Sequence, residues 1–545
     1  MTTTNNSTKQ SNISSFPVDC IAEILEHLYN DSITPNSLYS CLLTNRQWAK
    51  LAVPLIWRSP FGYKIRTVRC AYIIETLVSC LKDDEKQRWT DLGFKISKDR
   101  PRPLFDYPTF IRSICTHNVQ LSVTNWLRNF QNIDSPCKKD KLVKAIDLIG
   151  HLIFGSSRGL EFFRCDHDFN MKYNKTQFTI LPNLELYNGI NVALSNLKVF
   201  ETQCWDGFDQ DSGNLLMSYI NSVSRYSQNI KHIKIYVYLR LPDYIPLCQS
   251  FSKLIEAQKS LHSIELCEWW DHSKANLIYT ALQSQAHSLK SFHTNNLRHI
   301  RKLFPMLSAC VNLEDLCITN YYEIEDVSSL LRNVSSLPFI HIKHLEASYQ
   351  SHFEARQTQF SVLIQLLIRL SNQNLKSLKT NYMDSKILEN ISRFCPKISH
   401  LTLHVTKEDF PNLYTNLPNM ISLEHLILVF MTSTREGLSL LAQKLPLNLK
   451  HLGVRTSPSF STFFMLKNLK IPIEVLDIYN KIDGELMKYI IEFAERIGKL
   501  MKLGIVNKKI VYQIEESERA NAVIGIIGKP NYKEFCSFAS LVNEE

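Results

Sequence analysis

Ile398-Ser-His-Leu-Thr-Leu403, Leu423-Glu-His-Leu-Ile-Leu428 and Leu449-Lys-His-Leu-Gly-Val454 are copies of one six-residue unit, apolar-x-x-apolar-x-apolar. The apolar/polar alternation at its end has the period of a strand with one buried face. The unit recurs from Ile230, Leu261, Leu289, Leu313, Ile342 and Leu375, and again from Ile473 and Leu500. Successive starts are 23 to 33 residues apart and average 27. Looser copies begin at Leu160 and Leu197. Between the strands the period changes. Leu486, Ile490, Phe493 and Ile497 recur at helical steps, as do Leu247, Phe251, Leu254 and Ile255, and Leu388, Ile391 and Phe394 share a face before Pro396. Each repeat is thus a short strand followed by a helix. One such unit cannot bury its own apolar face, so neighbours must stack to do it.

This repeat resembles the leucine-rich repeat, whose period spans the same range. The asparagine ladder of that family is mostly missing and the spacing varies, so the resemblance implies a divergent, irregular α/β solenoid over residues 158–530. A two-layer α/β domain with similar strands is the other reading.

The residue before each unit's second apolar position should face away from the core. That slot holds His232, Ser263, Ser291, Asp315, His344, Ser377, His400, His425, His451, Val475 and Lys502, so five of eleven are His. The next outward slot runs Lys234, Glu265, His293, Cys317, Glu346, Lys379, Thr402, Ile427, Gly453, Asp477 and Gly504. His400, His425 and His451 fall on consecutive strands about 5 Å apart. With His344 they are candidate target-binding residues; the plainer reading is a repeat habit with each ring solvated and idle. Near the ordinary histidine value of about 6.5, such a ladder should bind differently at about pH 6 and about pH 8.

A second region stands apart from the repeats. Phe16-Pro-Val-Asp-Cys-Ile-Ala-Glu-Ile-Leu-Glu-His-Leu28 puts Val18, Ile21, Ile24, Leu25 and Leu28 on one helical face. Ser37-Leu-Tyr-Ser-Cys-Leu-Leu-Thr-Asn-Arg-Gln-Trp48 follows, with Leu38, Cys41, Leu42 and Asn45 sharing a face, and Pro54 opens a last turn carrying Trp57. About forty residues cannot bury that much apolar surface alone. They either cap the domain behind them or dock on another protein.

The Pro after a bulky apolar residue, the Ile-x-x-Ile-Leu-x-x-Leu helix and the Cys-Leu-Leu-x-Asn-Arg-x-Trp segment resemble the F-box, over residues 15–58. Phe16 stands where that family usually has Leu, and Leu43-Thr-Asn-Arg46 replaces its usual Val-Cys-Arg segment. The chain looks most like the F-box proteins with leucine-rich repeats that some fungi hold in large numbers. The resemblance implies a non-catalytic substrate receptor of an SCF-type ubiquitin ligase. Its helices would dock on a Skp-type adaptor, and through it a cullin scaffold, while the repeats hold an unknown target protein. The candidate adaptor contacts are Phe16, Pro17, Ile21, Leu25, Leu28, Leu42, Leu43 and Trp48.

The 545 residues are 44% hydrophobic and 21% charged, a globular balance, with a net charge of +10 that is mild for this length. No dense basic run with interleaved aromatics points to nucleic acid. The 14 cysteines are scattered without a Cys-x-x-Cys pair and sit in apolar runs, the usage of free thiols in a reducing compartment. The polar first residues carry no signal peptide, and Val362–Leu370 is too short to span a bilayer. Cytoplasm or nucleus is the expected location. Residues 1–14 and 531–545 read as tails, and 59–157 as a mostly helical connector with a charged break at Lys82–Lys86 and a loop at Pro101, Pro103 and Pro108.

Signs of catalysis are weak. Gly525-Ile-Ile-Gly-Lys-Pro530 has the wrong spacing for a P-loop. His341 and His344 straddle a strand entry, not a helix face, and Cys165-Asp-His167 lacks a visible base or oxyanion partner. No enzyme activity, cofactor or metal is expected.

Overall fold

The structure is a computed structural model. It describes residues 17–30, 37–62, 67–96, 102–133, 139–167, 183–204, 210–237, 245–268, 272–295, 297, 300–320, 324, 327–349, 354–456, 461–479, 484–497, 500 and 502–505. Phe16, both expected tails and the Gly525–Pro530 stretch lie outside the described residues. The chain divides into two compact units, residues 1–261 and 262–545.

The first unit opens with helices α1 (Val18–Asn30), α2 (Ser37–Leu42) and α3 (Arg46–Ile56). Ile21, Leu25, Leu38 and Ala52 form their common core, and Leu28, Cys41, Leu42, Trp48 and Leu55 pack around it. Asn45 does not share a helix face with Leu38, contrary to the expectation. Its side chain caps α3, accepting from the N–H groups of Gln47 and Trp48 at 2.9 and 3.0 Å, which is why the chain breaks there into two helices. Pro54 lies inside α3, and Trp57 closes it.

The connector holds helices at Thr67–Ser79, Thr116–Gln131 and Lys139–Ser156, near the expected segments. Two readings of it need correcting. The charged stretch at Lys82 is a helix start, Asp83–Asp91: the Glu85 carboxylate accepts the Lys82 N–H at 2.8 Å, and three acids sit where the helix dipole favours them. The strand ladder also begins early. Strand β1 (Ser113–Cys115) lies inside the region read as helical. Ile111-Arg-Ser-Ile114 follows the repeat pattern, but 49 residues separate it from Leu160, too many for the period to reveal. It pairs parallel with β2 (Phe162–His167), which pairs with β3 (Val199–Cys204), which pairs with β4 (His232–Val237).

Among its described residues the second unit carries ten strands, each parallel to the next in chain order. They are β5 (Ser263–Glu268), β6 (Ser291–Thr294), β7 (Asp315–Asn320), β8 (His344–Tyr349), β9 (Ser377–Thr380), β10 (His400–Val405), β11 (His425–Phe430), β12 (His451–Arg455), β13 (Val475–Ile478) and β14 (Lys502–Ile505). Strand–helix alternation with parallel, in-register strands is the arrangement of a leucine-rich-repeat array.

The alternation sets the register. Leu401, Leu403 and Val405 are buried, as are Leu426, Leu428 and Phe430 on β11 and Leu452 and Val454 on β12. A one-residue slip would turn all of them outward, at roughly 1.5–3 kcal/mol for each large side chain. Strands β8 and β12 are entered the same way: the N–H groups of Lys343 and His344 both donate to the Glu314 carbonyl, and those of Lys450 and His451 to that of Glu424.

Candidate functional site

Parallel pairing aligns equal slots of successive repeats, so the polar face is built of rows running across the strands. In the first unit Arg164, Glu201 and Lys234 stand side by side. Glu201 pairs with Arg164 at 3.4 Å and Lys234 at 3.3 Å, and Arg164 donates to Gln203 at 2.6 Å.

In the second unit the row Glu265–His293–Cys317–Glu346–Lys379 crosses β5 to β9. His293 Nδ1 lies 3.0 Å from Glu265 Oε1, and its Nε2 lies 3.4 Å from Thr319 Oγ1. Burial pulls the imidazolium pKa down, but the hydrogen bonds and charges of Cys317 and Glu265 outweigh it and lift the value to about 10. Lys379 and Glu346 pair at 2.7 Å.

The histidine row is also assembled. His400, His425 and His451 are register partners on β10, β11 and β12. The His400 and His425 rings stack, centroids 4.1 Å apart and planes 8° from parallel, and the His451 ring meets His425 edge-on at 5.3 Å. The Nδ1 atoms of His425 and His451 are 3.2 Å apart, and His451 Nε2 is 2.6 Å from Asp477 Oδ2. One proton can lie between two ring nitrogens, so His425 and His451 cannot both present a proton to that contact. Burial, then the neighbouring His400 and His451, push His425 down to about 4. Burial, with Arg455 and Lys379, does the same to His404. The expectation of ordinary histidine titration therefore fails for His425, which stays neutral between pH 6 and 8. His344 is exposed and stands apart, with Ser377 of β9 between it and His400. The Glu265–His293 pair was written in the second slot of the repeats; reading the two as neighbours across β5 and β6 would have found it.

The N-terminal candidates separate by burial. Ile21 (2% exposed) and Leu25 (0%) are the three-helix core, so they cannot serve as adaptor contacts while the module is folded. Leu28, Leu42 and Trp48 pack beside that core, Pro17 is exposed, and Leu43 is 82% exposed. Val18, Ile24 and Tyr39, which were not among the candidates, also lie open. The module is tied to the strands behind it. Arg58 Nη2 donates to Glu161 at 2.7 Å, its Nη1 reaches Glu26 at 3.3 Å, and its carbonyl accepts the N–H groups of Arg112 and Ser113. The Trp57 and Tyr107 rings meet at 4.4 Å.

Cys165 is buried, and the side chains of Asp166 and His167 lie outside the described residues. Eleven free cysteines are found among the described residues. Among the same residues no helix is long and apolar enough to cross a membrane.

No protein-family model matches the sequence, and no curated protein matches it. The solved structures that match include one titled "Crystal structure of TLR13-ssRNA13 complex". It is 11% identical with a TM-score of 0.28, over 65% of this chain and 53% of that one, so this chain spans about half that chain's length. A likeness of that grade carries no argument about function. The repeat reading stands on the parallel strands and the helices between them, an arrangement consistent with a leucine-rich-repeat solenoid.

Proposed function

We propose that this chain is a substrate receptor of an SCF-type ubiquitin ligase, acting in the cytoplasm or nucleus. Its N-terminal helices dock on a Skp-type adaptor, which joins a cullin scaffold, and its repeats hold the target protein. The chain itself is non-catalytic, and the ligase chemistry belongs to other subunits.

The observation that carries this reading is the placement of apolar side chains on the N-terminal module. Ile21 and Leu25 fill its core, yet Leu43 remains 82% exposed, Tyr39 52%, Val18 50% and Ile24 41%. A helical bundle serving only as a cap gains nothing from that open apolar surface, whereas a docking surface uses it. The F-box resemblance of residues 15–58 supports the same role. On the repeats, the polar rows that include His400, His425 and His451 are the proposed target-binding surface, with His344 at its side.

The test is capture of a Skp-type adaptor by the full chain and by its Leu43→Asp variant, each checked for folding by circular dichroism. Wild type should retain the adaptor, and the variant should weaken it by about tenfold or more, since an anchor of this kind contributes about 2 kcal/mol. Equal capture by both would remove this face from the interface. No capture by wild type would leave the second reading, a repeat scaffold capped by its helices, which the ties from Arg58 to Glu161 and to the Ser113 N–H favour.

A further inference from the structure

We propose that Glu265, Cys267 and His293 form a binding site for a divalent transition-metal ion of the zinc class. Residues two apart on a strand share a face, so Glu265 and Cys267 of β5 project to the same side. In-register pairing sets His293 of β6 directly opposite Glu265. The three ligand atoms all lie within 4.8 Å of one another, and His293 Nδ1 is 3.0 Å from Glu265 Oε1. A tetrahedral ion bound at about 2.0–2.3 Å to nitrogen, oxygen and sulfur needs ligand atoms roughly 3.3–3.8 Å apart. The observed spread of up to 4.8 Å exceeds that spacing by about 1 Å, so binding requires the three side chains to close on the ion.

The chemistry of the set agrees with its geometry. One thiolate, one imidazole and one carboxylate are the mixed donors that zinc accepts; magnesium and calcium prefer oxygen alone. The ring is also oriented as a ligand should be. With Nδ1 toward the ion, Nε2 faces the Thr319 hydroxyl at 3.4 Å, and such an outer partner fixes the tautomer of a ligating histidine. Cys267 is 8% exposed, and Glu265 and His293 are part-buried on the polar face. Three protein ligands leave a fourth position for water or for a donor atom of a bound partner. Cys317, the next residue in the row, is assigned no place among the ligands. The site does not depend on the ligase reading.

The test uses the full chain, stripped of metal under reducing conditions and titrated with Co2+ alone and then with Zn2+. Wild type should take up one equivalent of Co2+ with a thiolate-to-cobalt charge-transfer band, and Zn2+ should displace it and raise the melting temperature. Cys267→Ser should lose the band. Glu265→Gln and His293→Ala should each weaken Zn2+ by about tenfold or more. Cys317→Ser, with its band intact, separates this site from the protein's other thiols. Metal-free circular dichroism checks that each variant is folded, and Glu265→Gln keeps the shape if His293→Ala does not fold. Absence of a stoichiometric band in wild type would overturn the site and leave His293 and Glu265 as an ion pair. So would unchanged binding in folded Cys267→Ser, or loss of the band in Cys317→Ser.

Discussion

Replacing His425 by Gln should make the second unit more resistant to mild acid. In the folded chain the His425 pKa falls to about 4, through burial and the adjacent His400 and His451 rings. Glu424 acts in the opposite direction and Lys450 reinforces the fall. The unfolded chain titrates near the ordinary histidine value of about 6.5. The contribution is therefore fully present above about pH 6.5. Between there and about pH 4 the unfolded state binds a proton that the folded state refuses, so stability drops as pH drops. At about pH 5 a fully sequestered ring would lose about 2 kcal/mol by this route, and solvent screening of a part-buried one reduces the loss to about 1 kcal/mol. Amide hydrogen exchange at Leu426 and Leu428 reads the opening free energy where it matters. Wild type should lose about 1 kcal/mol more than His425→Gln between about pH 7 and about pH 5. His404, also held at about 4, should add a similar loss that persists in the variant. An identical acid loss in wild type and variant would refute the argument, because then the stacked ring is not what resists protonation.

Arg58→Ala removes the pairs to Glu161 and Glu26 in one step. Because both acids are themselves partly exposed, the loss should be about 1 kcal/mol, read as faster limited proteolysis between the N-terminal helices and β1, with unchanged cleavage counting against the tie. A fragment of residues 158–545 lacks β1 and so bares the edge of β2 and the side of buried Phe163. It should aggregate or unfold at a lower temperature than the full chain, and a monomeric fragment that melts as cooperatively as the full chain would argue otherwise.

What could be read from the residues was whatever the backbone repeats. Leu401, Leu426 and Leu452 recur because every repeat must bury the same position, and that demand writes itself into the sequence at a fixed slot. Parallel pairing then makes the slot a spatial row, so the histidine ladder follows from spacing alone. What could not be read depends on two or more rows at once. The low pKa of His425 comes first from burial, then from a stacked neighbour on β10 and an edge-on neighbour on β12, and none of these is a property of a six-residue unit. The His293 cluster adds a residue two places further along β5 to a pair in the next slot, which a search one slot at a time passes over. In the N-terminal module the apolar face held too many candidates. Ile21 and Leu25 sit on the same helical stripe as Ile24, and only the positions of α2 and α3 decide that the first two are sealed while the third is open. Periodicity tells which side chains face a partner; it takes the packed neighbours to tell whether that partner belongs to the same chain.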